Sequence, residues 1–322
     1  MNVLVTGGFG FIGHHLVERL VFNGYKVIVY DAQTYACEYV NKDEVPNTWG
    51  IMGDLLDAKK LESVFKIHQF HKVFHLAAES HVDNSIDNPN VFANTNVIGT
   101  LNVLNLCKKY NKQLVHVSTD EVYGALRSDD KNWNEKQPLQ PNSPYSASKA
   151  SSDLLALSYY KTYGLDVRVT RCCNNFGTGQ HIEKLIPKAV MSSICDDEIL
   201  LYGDGTNKRE WIHAKDHADG LIIVSEKGKP GEIYNIGTGE ELSNNQIAKK
   251  IIKYTNKEAV IRYISDRPGH DFRYALNFSK IKRLGFSPKR SINNRKEWNE
   301  IIQFYTKHWK TQTKISIRNK KR

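Results

Sequence analysis

Of the 16 tyrosines in the chain, only Tyr145 has a lysine four positions later, Lys149. On a helix that spacing sets both side chains on one face. An ammonium there would stabilise a tyrosinate and lower the phenol's pKa toward working pH, so the pair could move a proton to and from a hydroxyl. Upstream, the stretch STDEVYG, Ser118 to Gly124, follows the apolar run Leu114 to Val117. Asp120 and Glu121 thus stand side by side at the end of a strand pattern, where carboxylates are seldom buried without a task. Taken alone they read as a solvated strand end. Two neighbouring carboxylates can take opposite proton-transfer roles only where the environment splits their pKa values as a coupled pair. Strand alternation sends neighbouring side chains to opposite faces. Both acids can therefore reach one substrate only if the chain turns out of the strand after Val117.

A third group is TGGFGFIG, Thr6 to Gly13, which follows a strand pattern and opens a helix pattern. Gly7, Gly10 and Gly13 fit G-x-x-G-x-x-G, and Gly8, Gly10 and Gly13 fit G-x-G-x-x-G. Glycines here allow a tight turn and let the backbone, with Phe11 and Ile12 beginning the helix, approach a pyrophosphate. Asp31 ends the second strand pattern 18 residues after Gly13. A carboxylate there accepts hydrogen bonds from ribose hydroxyls and repels a 2′-phosphate, which favours NAD over NADP. Asp54, in GDLLD, fits either a contact to the adenine edge or a helix N-cap.

The elements needed to position these residues are present in order. Strand patterns at NVLVTG, YKVIVYD, TWGIMGD, KVFHLAA, QLVHVST and LDVRVTRC alternate with helix patterns, the longest at 90–110 and 143–164. This rhythm predicts an α/β fold, a doubly wound Rossmann-type parallel sheet. Beyond Cys173 the rhythm gives way to mixed segments richer in Gly, Pro and charge. The expected organisation is a nucleotide-binding domain over 1–173, with a segment near 205–238 rejoining it through GEIYNIG. A smaller C-terminal substrate-binding α/β domain would span 174–306, followed by a disordered basic tail over 307–322.

Composition excludes several classes. At 322 residues, 40% apolar and 25% charged, the chain reads as an ordinary globular protein. No apolar run approaches the roughly 18 residues of a membrane helix, and the N-terminus lacks the basic region of a signal peptide. Seven Lys or Arg and no acid lie between Lys307 and Arg322, and removing them from the net charge of +10 leaves +3. The basicity therefore belongs mainly to the tail and gives no specific nucleic-acid signal. Five cysteines, an odd count with Cys172 and Cys173 adjacent and no CxxC spacing, point to a reducing, cytoplasmic setting rather than a disulfide framework. His213 and His217 have metal-ligand spacing but no matching cluster, so they read as a helix start and no metal is expected.

The glycine motif followed by Tyr-x3-Lys resembles the extended short-chain dehydrogenase/reductase family, whose Tyr-Lys pair works with a Ser or Thr on the preceding strand, here Thr119. With Thr119-Asp120-Glu121, HLAAESHVD (75–83), SPYSASKASSD (143–153), EKLIP (183–187) and DRPGHDFRYA (266–275), residues 1–290 are similar to that family's nucleotide-sugar 4,6-dehydratases, those acting on dTDP-glucose in particular. The resemblance implies a lyase that oxidises C4 of the hexose with bound NAD, eliminates water across C5–C6 and reduces C6. It implies Tyr145 as base for the 4-hydroxyl, Glu121 as base for C5 and Asp120 as acid for the departing 6-hydroxyl. It also implies substrate contacts from Glu79, Ser80, Asn174, Lys184, Leu185, Tyr202, Arg209, Asn244, Arg267 and His270, and a homodimer formed by helices 90–110 and 147–164. The chain departs from the family pattern at Phe176, Thr178, His181, Ile182, Leu200 and Glu210, and in a short segment from Asp31 to Asp54. These departures leave the reaction type intact but leave open UDP-glucose or another nucleotide hexose; the alternative reading is a 4-epimerase or decarboxylase of the same fold.

Overall fold

A computed structural model describes residues 1–37, 45–195, 197–255 and 258–319, with side chains described as far as His308. The first half alternates as its hydrophobic pattern predicts. β1 (Asn2–Thr6), α1 (Phe11–Phe22), β2 (Lys26–Asp31), β3 (Thr48–Met52), α2 (Ala58–Ile67) and β4 (Lys72–His75) come first. Two short helices, α3 (Val82–Asp87) and α4 (Pro89–Phe92), lead into α5 (Gly99–Lys109), β5 (Gln113–Thr119), α6 (Pro144–Tyr163) and β6 (Val167–Cys172). Then follow β7 (Asn174–Phe176), α7 (Leu185–Ile194), β8 (Ile199–Tyr202), β9 (Lys208–His213), α8 (Ala214–Lys227) and β10 (Ile233–Ile236). The chain closes with β11 (Glu241–Ser243), α9 (Asn244–Thr255), β12 (Ile261–Ile264), β13 (Arg273–Tyr274), α10 (Ser279–Lys282) and α11 (Arg295–Asn319).

Among the described residues, a seven-stranded parallel sheet has the order β10-β6-β5-β4-β1-β2-β3. Its strands read as continuous apolar runs because helices cover both faces. Val3 and Val5 enter the core shared with α1 and α8, while Leu4 enters the opposite core with α2, α5 and α6. Strand order reverses between β1 and β4, which opens a crevice at the carboxyl ends of the strands. The GEIYNIG run rejoins this sheet as β10, next to β6.

The second half builds around β9, flanked by β7, β11 and β13, with a separate β8–β12 pair. A third core, including Phe176, Trp211, Ile247, Trp298 and Tyr305, holds these elements together. In the segment expected to be a basic tail, α11 continues as helix to Asn319. Trp298, Ile301 and Tyr305 are buried in its first turns and anchor a nucleus from which helix propagates. Residues 320–322 lie outside the described residues.

The helix expected over 90–110 is not uniform. Between α4 and α5 it widens into a π-helical turn, Ala93–Ile98. Buried Asn96 accounts for this: its amide donates to Glu79 O (3.0 Å) and Ser148 Oγ (2.9 Å) and accepts from Glu79 N (2.9 Å). Such turns are often found where a helix serves a site. The cap of α2 is likewise corrected. Asp57, not Asp54, accepts from Lys60 N at 3.0 Å, while Asp54 accepts from Leu56 N at 2.9 Å.

Candidate active site

A cleft of about 560 Å³ runs along the carboxyl ends of the sheet. One end is lined by Gly7, Gly10, Phe11, Ile12, Gly13, Asp31 and Asp54. The other is lined by Glu79, Ser80, Thr119, Asp120, Glu121, Tyr145, Lys149, Asn174, Lys184 and Leu185. At the first end Gly7 takes φ +72°, and a Cβ there would lie 2.6 Å from Ala77 N. A Cβ on Gly13 would stand 2.0 Å from Gly7 O. The turn is thus packed backbone against backbone at the start of α1, where peptide N–H groups lack helical partners. Asp31 accepts from Phe9 N (2.9 Å) and Gln33 N (2.7 Å), which fixes its carboxylate at the rim. The donor set and the shape suit the pyrophosphate and ribose of a dinucleotide. Gly13→Ala forces overpacking of about 1–3 kcal/mol, so NAD affinity measured by calorimetry is expected to fall about ten- to hundredfold.

At the other end β5 stops at Thr119 and the chain turns at once into a 3₁₀ turn, Asp120–Tyr123. Thr119 Oγ1 accepts from Glu121 N (3.3 Å) and donates to Asp120 Oδ1 (3.3 Å). Leaving the strand breaks its alternation, and both acids reach the same cleft. The turn closes at Gly124 with φ +94°, a conformation that suits glycine. Helix α6 starts on a capping box between Ser143 and Ser146 with Pro144 at its first position. That start holds Tyr145 at the sheet edge. Lys149, one turn on, is buried and donates to Val117 O at 2.8 Å.

Burial and charge divide the acids. Burial first, then Glu121 and Glu210, push Asp120 well above the usual carboxyl range. Burial also raises Glu121, but Arg267, Arg209 and Lys184 oppose that rise. Asp120 is therefore the member that keeps a proton, and its buried Oδ2 has no hydrogen-bond partner among the described residues. The Tyr145 phenol departs from expectation. Burial, then Glu121, push it well above its usual value. Lys149 itself is lowered to about 8 by burial.

The remaining predicted contacts are gathered less tightly. Lys184 donates to Ser80 O at 2.7 Å and pairs with Glu183 at 3.8 Å. Tyr202, Arg209, Asn244, Arg267 and His270 do not line the cleft, although the charges of Arg209 and Arg267 reach Glu121. Arg209 is held by the carbonyls of Lys208 and Asp271 over the Tyr274 ring. Arg267 pairs with Asp83 at 2.8 Å, and Tyr202 donates to the same carboxylate at 3.1 Å. His270 pairs with Asp266 at 2.6 Å, and Asn244 donates its backbone N–H to Asn207 O. Asp83 was not among the expected residues, although it ends the HLAAESHVD motif. Asn94 and Thr95, brought to the cleft by the π turn, had no signal in the sequence pattern. His213 caps α8 and His217 bonds Asn175.

A family model described as GDP-mannose 4,6 dehydratase matches residues 4–296. The chain belongs to this family. It is 46% identical to dTDP-glucose 4,6-dehydratase of Streptomyces antibioticus, over 91% of this chain and 89% of that one. To the enzyme of the same name from Escherichia coli it is 38% identical, over 94% and 96%. A solved dTDP-glucose 4,6-dehydratase from Streptomyces venezuelae, with NAD bound, superposes with a TM-score of 0.89 at 43% identity, covering 95% of this chain and 97% of that one. UDP-glucose 4-epimerase of Thermus thermophilus, also with NAD, reaches the same TM-score at 27% identity, covering 95% and 99%. Shape alone therefore does not separate the two reactions. The departure at Glu210 is structural in effect. Its buried carboxylate accepts from the backbone of Thr238, Gly239 and Leu276, clamping the loop after β10 to the strand that carries Arg209.

Proposed function

We propose that this protein is an NAD-dependent nucleotide-sugar 4,6-dehydratase, a hydro-lyase that converts dTDP-glucose to dTDP-4-keto-6-deoxyglucose. The observation that carries this reading is the 3₁₀ turn after Thr119, which sends Asp120 and Glu121 into the cleft that also holds Tyr145 and Lys149. Bound NAD supplies the hydride acceptor for C4 and the hydride donor for C6. Gly7, Gly10, Phe11, Ile12, Gly13, Asp31 and Asp54 would hold it, with Tyr145 and Lys149 beside its reactive end. Tyr145 takes the 4-hydroxyl proton, Thr119 steadies that oxygen, and Lys149 supplies the positive charge that the phenolate needs. A 4-keto group acidifies C5–H, and Glu121, kept more acidic by three cations, removes that proton. Asp120 gives its proton to the departing 6-hydroxyl. Glu121 later returns a proton to C5.

Glu79, Ser80, Asn174, Lys184 and Leu185 would line the sugar and diphosphate. Arg209, Arg267, His270, Tyr202 and Asn244 would close on the nucleotide from beyond Glu121, with guanidinium forks suited to phosphate. We assign residues 1–173, with the segment near 205–238 that carries α8 and β10, to the nucleotide-binding domain, and the rest of 174–306 to the substrate domain. A homodimer through α5 and α6 fits the exposed apolar side chains of α6, Leu154, Tyr160 and Tyr163, and of Ile98 just before α5. Light scattering on the purified protein checks it. No described helix is long and apolar enough to cross a membrane, and the cysteine usage supports a cytoplasmic setting. The product's mass tests the reaction. Loss of water from dTDP-glucose is expected, whereas an unchanged mass or loss of carbon dioxide would assign a different reaction of this fold. Comparing kcat/KM for dTDP-, UDP- and GDP-glucose checks the nucleobase, and the thymidine nucleotide is expected to lead.

A further inference from the structure

Tyr145, Lys149 and Asp153 recur at four-residue intervals on α6, so one face of the helix carries all three. Tyr145 and Lys149 face the cleft, whereas Asp153 lies behind them, is fully buried and does not line it. Its Oδ2 accepts from Arg171 Nε at 2.9 Å, and its Oδ1 lies 3.3 Å from His116 Nε2. Arg171 sits on β6 opposite Ser118 of β5 and is only 2% exposed. Its guanidinium lies 4.7 Å over the ring of Tyr123. Tyr123 closes the turn that bears Asp120 and Glu121, and its hydroxyl donates to Asn235 Oδ1 at 2.8 Å. A chain of contacts thus runs from the helix of the Tyr-Lys pair to the turn of the two acids without touching the cleft. Buried ion pairs seldom offset their own desolvation, so stability alone is a weak reason for this one.

We propose that Asp153 and Arg171 are positioning residues, which tie α6 to the acid-bearing turn and set Asp153, one helical turn beyond Lys149, as a buried counter-charge behind its ammonium. This inference rests on the function proposed above. The groups around Lys149 are Asp153 and Tyr145 on α6, Cys172 on β6, His116 on β5 and His75 on β4, with Arg171 beyond Asp153. His75 sits between the hydroxyls of Thr6 (2.7 Å) and Thr100 (2.9 Å), and burial keeps both histidines neutral. Burial drives Lys149 down to about 8, and Asp153 is the carboxylate that opposes the fall. Without it the lysine proton is lost at lower pH. An activity that needs the ammonium then disappears at lower pH as pH rises.

The test is Asp153→Asn, with Asp153→Glu as the conservative variant. In the wild type, kcat is expected to fall as pH rises through about 8. In Asp153→Asn that alkaline limb should move down by about 1–3 pH units, the usual effect of one close opposite charge. KM for dTDP-glucose should stay within about twofold, and Asp153→Glu should restore most of the limb. If Asp153→Asn does not fold, the double variant Asp153→Asn/Arg171→Met removes both buried charges together and should shift the limb in the same direction by less, because a nearby cation is lost as well. A limb that does not move, whatever the loss of kcat, would overturn the proposal. A titration of ε-¹⁵N-labelled Lys149 by NMR reads the ammonium directly. An unshifted Lys149 in Asp153→Asn sinks this inference, whereas a wild type that releases no water from any nucleotide hexose sinks the dehydratase reading instead.

Discussion

Asp120→Asn is expected to slow release of water from dTDP-glucose by about 10²–10⁴-fold, the usual contribution of a positioned general acid, while exchange at C5 continues. The reason lies in the division of the two carboxyls. Burial, Glu121 and Glu210 favour the protonated form of Asp120, and a protonated carboxyl has the shape of an asparagine side chain. The substitution therefore preserves the Thr119 contact to Oδ1 and the packing, and removes only the acidic proton that the 6-hydroxyl needs. Tyr145, Lys149 and Glu121 are left intact. In deuterated water the recovered substrate should gain deuterium at C5 while the 4-keto-6-deoxy product scarcely forms. NMR of the recovered sugar nucleotide makes the measurement. Equal loss of exchange and elimination would show that Asp120 does not act at that step.

Tyr145→Phe should produce the opposite pattern. Without the phenolic oxygen the 4-hydroxyl proton has no acceptor, so C4 is not oxidised and C5–H stays too weakly acidic for Glu121. Turnover is expected to fall by about 10²–10⁴-fold, and the recovered substrate should carry no deuterium at C5. The glycine turn and Lys149 are untouched, so NAD affinity by calorimetry should remain within a few-fold of wild type. Because the phenol is buried with only 8% of its surface exposed, the loss of one hydroxyl leaves packing nearly unchanged. Retained C5 exchange in Tyr145→Phe would move the first proton transfer to another group.

The sheet and its switch point were legible because a parallel strand buried on both faces must read as an apolar run, and the glycine turn had a strand before it and a helix after. The shared helix of Tyr145 and Lys149 was legible because Tyr-x3-Lys depends on helical spacing alone, whereas the dehydratase reading came from the resemblance carried by the longer motifs. What escaped was set by tertiary contacts. The π turn at 93–98 exists because Asn96 bonds Glu79 and Ser148, partners 17 and 52 residues away, and hydropathy carries no trace of that. Asp54 and Asp57 are equally good cap residues, and only the backbone path selects Asp57. The basic tail reads as solvated from its composition, yet buried Trp298 and Tyr305 upstream carry the helix on to Asn319. Burial likewise holds the Tyr145 phenol high, and that burial is set by the tertiary fold rather than by helical spacing.

The central claim is that one cleft oxidises C4, expels the 6-hydroxyl as water and reduces C6 on the same sugar. The most direct measurement follows a single deuterium placed on C4 of dTDP-glucose through turnover in ordinary water, with the product read by NMR. The account predicts 4-keto-6-deoxy product with the label on C6 and a solvent proton on C5. Label retained on C4, or lost to solvent from a product still bearing its 6-hydroxyl, would contradict it.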